Sequence, residues 1–207
     1  MPSQELLQKV EQWQPDLVVV GSQGRSALGQ FFLGSVSKKL ATESRTPVRV
    51  VRRTIEKSGD RPTQIIIGVD GSPGAEGAVR LVGRRVWPDS TEVKLVAVDD
   101  SVSPARIAHI LPAAAAAITG RNEETTAKAT EMIEWAAEEL RAIGLRISVA
   151  IVKGDPQTVL IDEALKWEAD AIFVGARGLD HLGEQSGLGS VSAGLVTNAP
   201  CSVEIVR

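Results

Sequence analysis

Residues 18–52 read VVVGSQGRSALGQFFLGSVSKKLATESRTPVRVVR, and residues 172–207 read IFVGARGLDHLGEQSGLGSVSAGLVTNAPCSVEIVR. Both run from an apolar segment into a glycine loop, then Gly-Ser, a short helical pattern and a closing β-branched run ending in arginine. Gly175 lies 154 positions after Gly21 and Gly189 lies 155 after Gly34, and the tails then continue without a gap to Arg52 and Arg207. Upstream, Trp13 matches Trp167, Asp16 matches Asp170 and Pro2 matches Pro156. A repeat of this kind is read before any single motif, because each copy should fold alike.

The repeat is incomplete at its first copy. Residues 1–53 correspond only to the last part of the unit at 63–207, and nothing in them matches PTQIIIGVDGSPG or TEVKLVAVDD. The polar segment TIEKSGDRP, residues 54–62, reads as the linker. The expected organisation is a partial domain at 1–53, carrying the last two strands and helices, and a complete domain at 63–207. An N-terminally shortened gene start is the simpler explanation of the half-copy, and a native arrangement is the alternative to it. If it is native, its closing strand VRVVR is expected to pack against SVEIVR, with another chain covering the open edge of LVVV.

Within the complete copy, strand and helix patterns alternate. QIIIGV at 64–69 is a short apolar run of the kind found in parallel strands covered on both faces. AEGAVRLVGRRV has apolar positions at helical spacing, VKLVAV is the next strand, and the Ala-rich LPAAAAAITG has no clear assignment. A long amphipathic helix is expected from Glu123 to Ile143, stopped by Gly144. RISVAIV forms a third strand, Asp155-Pro156 caps a helix through Trp167, ADAIFVG is the fourth strand, and CSVEIV the last. This alternation defines an α/β fold with a doubly wound parallel sheet.

Composition narrows the function. The chain has 207 residues, a net charge of −3 and 43% hydrophobic content, which suits a soluble globular protein. Lys and Arg are spread along it, so nucleic acid is not an expected partner. The polar start MPSQELLQKVEQW lacks a signal-peptide core and LPAAAAAI is too short for a bilayer, so no membrane association and a cytoplasmic address are expected. The single Cys201 leaves no intrachain disulfide and reads as a small buried residue.

The glycine loop carries the chemistry. A glycine-rich turn from a parallel strand into a helix offers backbone N–H groups and the positive end of the helix dipole, which together bind phosphate. Gly175 and Gly178 let the backbone approach an anion, and Gly189-Ser190 supplies donors at the helix start; Gly21, Gly24, Gly34 and Ser35 repeat those roles. The competing reading is an ordinary surface loop. No G-x-x-x-x-G-K-[ST] occurs, and the glycines follow the fourth strand of the unit, so neither a P-loop nor a dinucleotide fingerprint fits. Asp70, at the end of the first strand in VDGSPG, could face the glycine loop and suit a ribose hydroxyl or base amino group. It serves equally as an Asx-type turn cap. Catalytic groups are scarce. The two histidines, His109 and His181, lie in loops, and no acidic or His pair has metal-ligand spacing, so no catalytic residue and no metal site are assigned.

The strand ending in VDGS, the frame G-x2-G-x9-G-[ST] after the fourth strand and the closing strand PVRVV together resemble the universal stress protein family in tandem arrangement. That resemblance implies a five-stranded parallel sheet of order 3-2-1-4-5, dimerisation through the last strands as a homodimer or pseudo-dimer, and, in one branch of the family, binding of ATP, with or without Mg. By position, Asp70 and the backbone around Val98 would hold the adenosine, with Gly68 and Ser72 beside them. Gly175, Arg177, Gly178, Gly189, Ser190 and Val191 would hold the phosphates, flanked by Val174 and Ser192. The first copy would contribute a partial site of Gly21, Gly24, Gly34, Ser35 and Val36. The second copy has ten residues rather than nine between Gly178 and Gly189, so its loop needs a bulge, for which Gly183 and Gly187 give room. The reading is an ATP-binding stress-response or signalling module; a nucleotide-free scaffold and a weak ATP hydrolase are the alternatives.

Overall fold

The computed structural model describes residues 2–22, 33–52, 61–100, 112–178 and 187–207. The elements run α1 (Pro2–Trp13), β1 (Val18–Gly21), α2 (Ser35–Glu43), β2 (Val48–Val51), β3 (Gln64–Val69), α3 (Pro73–Arg84), β4 (Glu92–Asp99), α4 (Pro112–Ala142), β5 (Arg146–Lys153), α5 (Pro156–Lys166), β6 (Ala171–Gly175), α6 (Ser190–Asn198) and β7 (Ser202–Val206). The strands form one sheet in the order β1-β2-β7-β6-β3-β4-β5. All neighbours are parallel except β2 and β7, which pair antiparallel.

The five-stranded parallel sheet expected of the family is part of a mixed sheet of seven, because β2 pairs antiparallel with β7, the junction expected between VRVVR and SVEIVR, and carries β1 with it. One expectation is corrected here. The long helix begins at Pro112 rather than Glu123, so the Ala-rich stretch is helical. Alanine has the highest helix propensity and Pro112 suits a first helical position, and these outweigh the missing amphipathic pattern. At its other end Gly144, with φ +88°, stops the helix, and Leu145 N–H closes back on the Leu140 carbonyl at 3.2 Å.

The β-branched runs place alternate side chains in two cores. Ile66, Ile172, Val174, Val203 and Ile205 pack with Leu160, Leu195 and Val196 on one face. Ile65, Ile67, Leu95 and Phe173 pack with Val79, Val82, Ala136 and Leu140 on the other. Ala41, Val48 and Val50 belong to the first of these cores, so α2 and β2 are built into the same interior as β6 and β7.

The two repeated stretches fold with the same hydrogen bonds. Ser37 Oγ donates to the Gly21 carbonyl and Ser192 Oγ to the Gly175 carbonyl, both at 2.7 Å. Gly34 N–H donates to Ser22 and Gly189 N–H to Ala176, both at 2.8 Å. In each case the serine two residues into the helix ties the helix start back to the strand end, which fixes where the glycine loop leaves and returns.

Candidate functional site

The order of the sheet places β3 and β6 side by side, with Ile65, Ile66 and Ile67 opposite Ala171, Ile172 and Phe173. The chain continues from β3 to β4 on one side while β6 leads to β7 on the other, so their C-terminal ends border the crevice where open α/β sheets bind ligands. The turn after β3 holds Asp70 and the turn after β6 begins the glycine loop.

Asp70 does two things at once. Its Oδ1 accepts the Ser72 N–H at 2.9 Å, the Asx turn that sequence reading left as one alternative. Its Oδ2 points at the other loop, where a Cβ placed on Gly178 would come within 2.5 Å of it. Gly71 takes φ +80°, which lets the chain turn from Asp70 into α3, and an added Cβ would meet Lys128 Cβ of α4 at 2.9 Å. Ser72 then caps α3, its Oγ accepting the Ala75 N–H at 3.2 Å.

The first turn of α3 rests directly on the end of β6. A Cβ on Gly175 would lie 2.6 Å from the carbonyl carbon of Gly74, and one on Gly74 would lie 2.9 Å from the Arg177 carbonyl. Two glycines back to back thus bring the Asp70 turn and the glycine loop into contact. Sequence reading missed Gly74; its position in DGSPG, opposite a strand-ending glycine, was the available signal.

The α6 start is open to an acceptor. Its N-cap, Gly189, is buried and provides no side-chain cap, while Ser190 is exposed and Val191 half-buried. Helix N–H groups left without a side-chain partner carry the positive end of the dipole. Half-buried Arg177 stands at this loop, and its Nη1 is buried with no hydrogen-bond partner among the described residues. Arg207 adds a second cation: burial, and then the Arg177 charge, hold its guanidinium below the ordinary arginine value. Its Nη2 donates to the Ala41 and Thr42 carbonyls at 2.5 and 3.0 Å. A region with two guanidiniums and uncapped amides favours an anion.

Other expected site residues have structural positions. Gly68 lies within β3, and a Cβ there would touch Val174 at 3.0 Å and Leu160 at 3.3 Å, so it serves close packing. Val174 is buried in the same core, and Val98, one residue beyond the Val69–Ala97 pair, packs against its edge. In the first stretch Gly21, Gly34, Ser35 and Val36 form the same strand-to-helix frame, again with an uncapped glycine, Gly34. Gly24, His109, His181 and Gly183 lie outside the described residues. Among the described residues there is no group of His, Cys, Asp and Glu able to hold a metal ion, and no helix is long and apolar enough to cross a membrane.

A twisted α/β sheet with an aspartate turn facing a glycine loop across its strand ends belongs to the doubly wound class. Within it, the universal stress protein family model matches residues 1–52 and 62–207, and the chain belongs to that family. A universal stress protein of Mycolicibacterium smegmatis is 29% identical over 203 residues, covering 92% of this chain and 61% of that protein. One from Mycobacterium bovis is 33% identical over 99 residues, 42% of this chain and 34% of that protein. The chain therefore spans about three-fifths of the length of the first of these relatives and a third of the second. The same fold appears in a universal stress protein of Archaeoglobus fulgidus, with TM-score 0.66 and 21% identity over 100% of this chain and 66% of that one. It appears also in UspA of Lactobacillus plantarum, with TM-score 0.55 and 24% identity over 72% of this chain and 100% of that one.

Proposed function

We propose that the crevice between the Asp70 turn and the Gly175–Ser190 loop binds an adenine nucleotide, ATP in the first instance, and that the protein is a cytoplasmic stress-response module acting through occupancy rather than turnover. The observation that carries this reading is the pairing of opposite demands in one crevice. Asp70 Oδ2 offers an acceptor to a ribose hydroxyl or base amino group, and Arg177 holds a buried Nη1 without a partner among the described residues, beside a start of α6 that no side chain caps. A phosphate would supply an acceptor to this guanidinium and to the helix start that no side chain caps. Mg²⁺, where it accompanies ATP, would be held by the phosphates and water, as this small ion usually is.

We also read residues 1–53 as a partial copy of the family domain and 63–207 as a complete one, forming a pseudo-dimer through β2 and β7. Supporting this, the two stretches share their hydrogen bonds and a common core. The same antiparallel junction is compatible with a second reading, a nucleotide-free scaffold. The test is to denature the purified protein, identify any nucleotide released and count it per chain, then titrate ATP into the nucleotide-free protein and its Arg177→Ala variant. About one ATP per chain is expected. Losing a charge-assisted hydrogen bond of about 1.5–3 kcal/mol should weaken binding tenfold to a hundredfold. No released nucleotide and no binding at millimolar ATP overturn the nucleotide reading in favour of the scaffold.

A further inference from the structure

The antiparallel pairing of β2 with β7 is centred on one contact. Arg49 lies opposite Glu204, flanked by Val48 opposite Ile205 and Val50 opposite Val203. In the repeated frame Arg49 and Glu204 are the same position, 155 residues apart, and Val48 matches Val203 as Val50 matches Ile205. Two equivalent strands paired antiparallel about one position have a local two-fold axis there, so position 49/204 is the one that meets itself whenever like strands pair. The helix ends obey the same axis. Arg52 Nη2 donates to the Val196 and Thr197 carbonyls at the end of α6, and Arg207 Nη2 to the equivalent Ala41 and Thr42 carbonyls at the end of α2.

At the axis the symmetry is broken by charge. Glu204 is fully buried and accepts from Arg49 Nε at 2.7 Å and from Arg85 Nη1 and Nη2 at 2.8 and 2.5 Å. Both guanidiniums lie over the Phe173 ring, 5.3 and 5.6 Å from its centre. We infer that the Arg49–Glu204 pair selects the partner of β7: the edge takes a closing strand that bears arginine at the axis, which residues 48–51 of this chain provide, and rejects one that bears glutamate, as a second copy of β7 would. Pairing β7 with its own copy keeps Arg85 on each carboxylate but replaces the Arg49 bond with a facing, buried carboxylate. Pairing β2 with its own copy sets two guanidiniums face to face. Like charges directly across strands repel, and burial magnifies the penalty. Specificity thus comes from a repulsive element as well as an attractive one.

This inference rests on the partial-copy reading of residues 1–53 and is independent of nucleotide binding. The test compares amide hydrogen exchange of the full-length chain with that of Arg49→Met, Arg49→Glu and the double variant Arg49→Glu/Glu204→Gln. Methionine keeps the apolar stem and leaves Glu204 its bonds to Arg85, so residues 48–51 and 203–205 should stay protected. Glutamate turns β2 into the rejected type of strand, and exchange in both segments should rise about tenfold above the methionine variant. The double variant places an amide opposite the carboxylate and should restore protection. Amides of β3 report whether the rest of the sheet persists; release of the edge alone and a wider opening both support the inference, provided the methionine variant stays closed. Equal exchange in the methionine and glutamate variants overturns it, as does a double variant as open as Arg49→Glu.

Discussion

The crevice contains two glycines whose replacement by alanine should have opposite consequences. On Gly175 the new methyl meets backbone: the carbonyl carbon of Gly74 at 2.6 Å and its Cα at 2.7 Å. Neither atom can move without lifting the first turn of α3 off the end of β6, so Gly175→Ala is overpacking of a rigid contact. Such insertions cost about 1–3 kcal/mol; at about 2 kcal/mol a domain of this size loses roughly 4–8 °C of Tm. On Gly178 the methyl meets, among the described residues, only the Asp70 carboxylate, with Oδ2 at 2.5 Å and Cγ at an unstrained 3.8 Å. Rotation about the Cα–Cβ and Cβ–Cγ bonds relieves that clash, at the expense of the 2.9 Å bond from Ser72 N–H to Oδ1 or its geometry. A stability loss below about 1 kcal/mol follows, because a half-buried side chain that can rotate, rather than backbone, yields. The carboxylate, however, no longer points into the crevice, and ATP affinity should fall about tenfold. Thermal melts and ATP titrations of both variants separate the two effects. A Gly178→Ala protein less stable than Gly175→Ala, or one that binds ATP like the parent, refutes the geometry assigned to Asp70.

Two further substitutions probe the supports of the fold. Asp155 caps α5, its Oδ1 accepting from Thr158 N–H at 2.9 Å and from Thr158 Oγ1 at 2.7 Å, and these bonds hold its carboxyl below the ordinary aspartate range. Its contribution is therefore present at neutral pH and lost as pH falls from about 4 through the lower folded value; Asp155→Ala should lose about 1 kcal/mol in urea melts at pH 7 and progressively less below pH 4. Arg52, buried beneath the end of α6, should cost about 2 kcal/mol when replaced by methionine, since it leaves the Val196 and Thr197 carbonyls and the negative end of the helix dipole without their cation. Differential scanning calorimetry measures that loss, and an unchanged Tm contradicts the clamp.

The strands and helices of residues 64–206 were legible because each apolar run is bounded by a signal with a local mechanism, such as Asp155-Pro156 before α5 or Gly144 after α4. The Ala-rich start of α4 was not, since alanine gives no amphipathic stripe and helix there is a matter of propensity alone. The site was half legible. Asp70 and the glycine frame could be named from spacing and Arg177 from the family resemblance, whereas Gly74 and Arg207 act through contacts between segments that only the folded sheet brings together. Burial was the least legible property, and the repeat shows why. Val19 occupies the position of Phe173, yet it is 58% exposed while Phe173 is fully buried under Trp87 and between two arginines. Trp13 occupies the position of Trp167, yet it is 72% exposed and meets Lys9 of its own helix, while Trp167 is packed in the core edge with Lys94 of β4 over its ring at 4.6 Å. The local sequence is of the same type in each pair. What differs is that β6 has β3 beside it while β1 ends the sheet, and a strand's neighbours, unlike its conformation, are set by residues elsewhere in the chain.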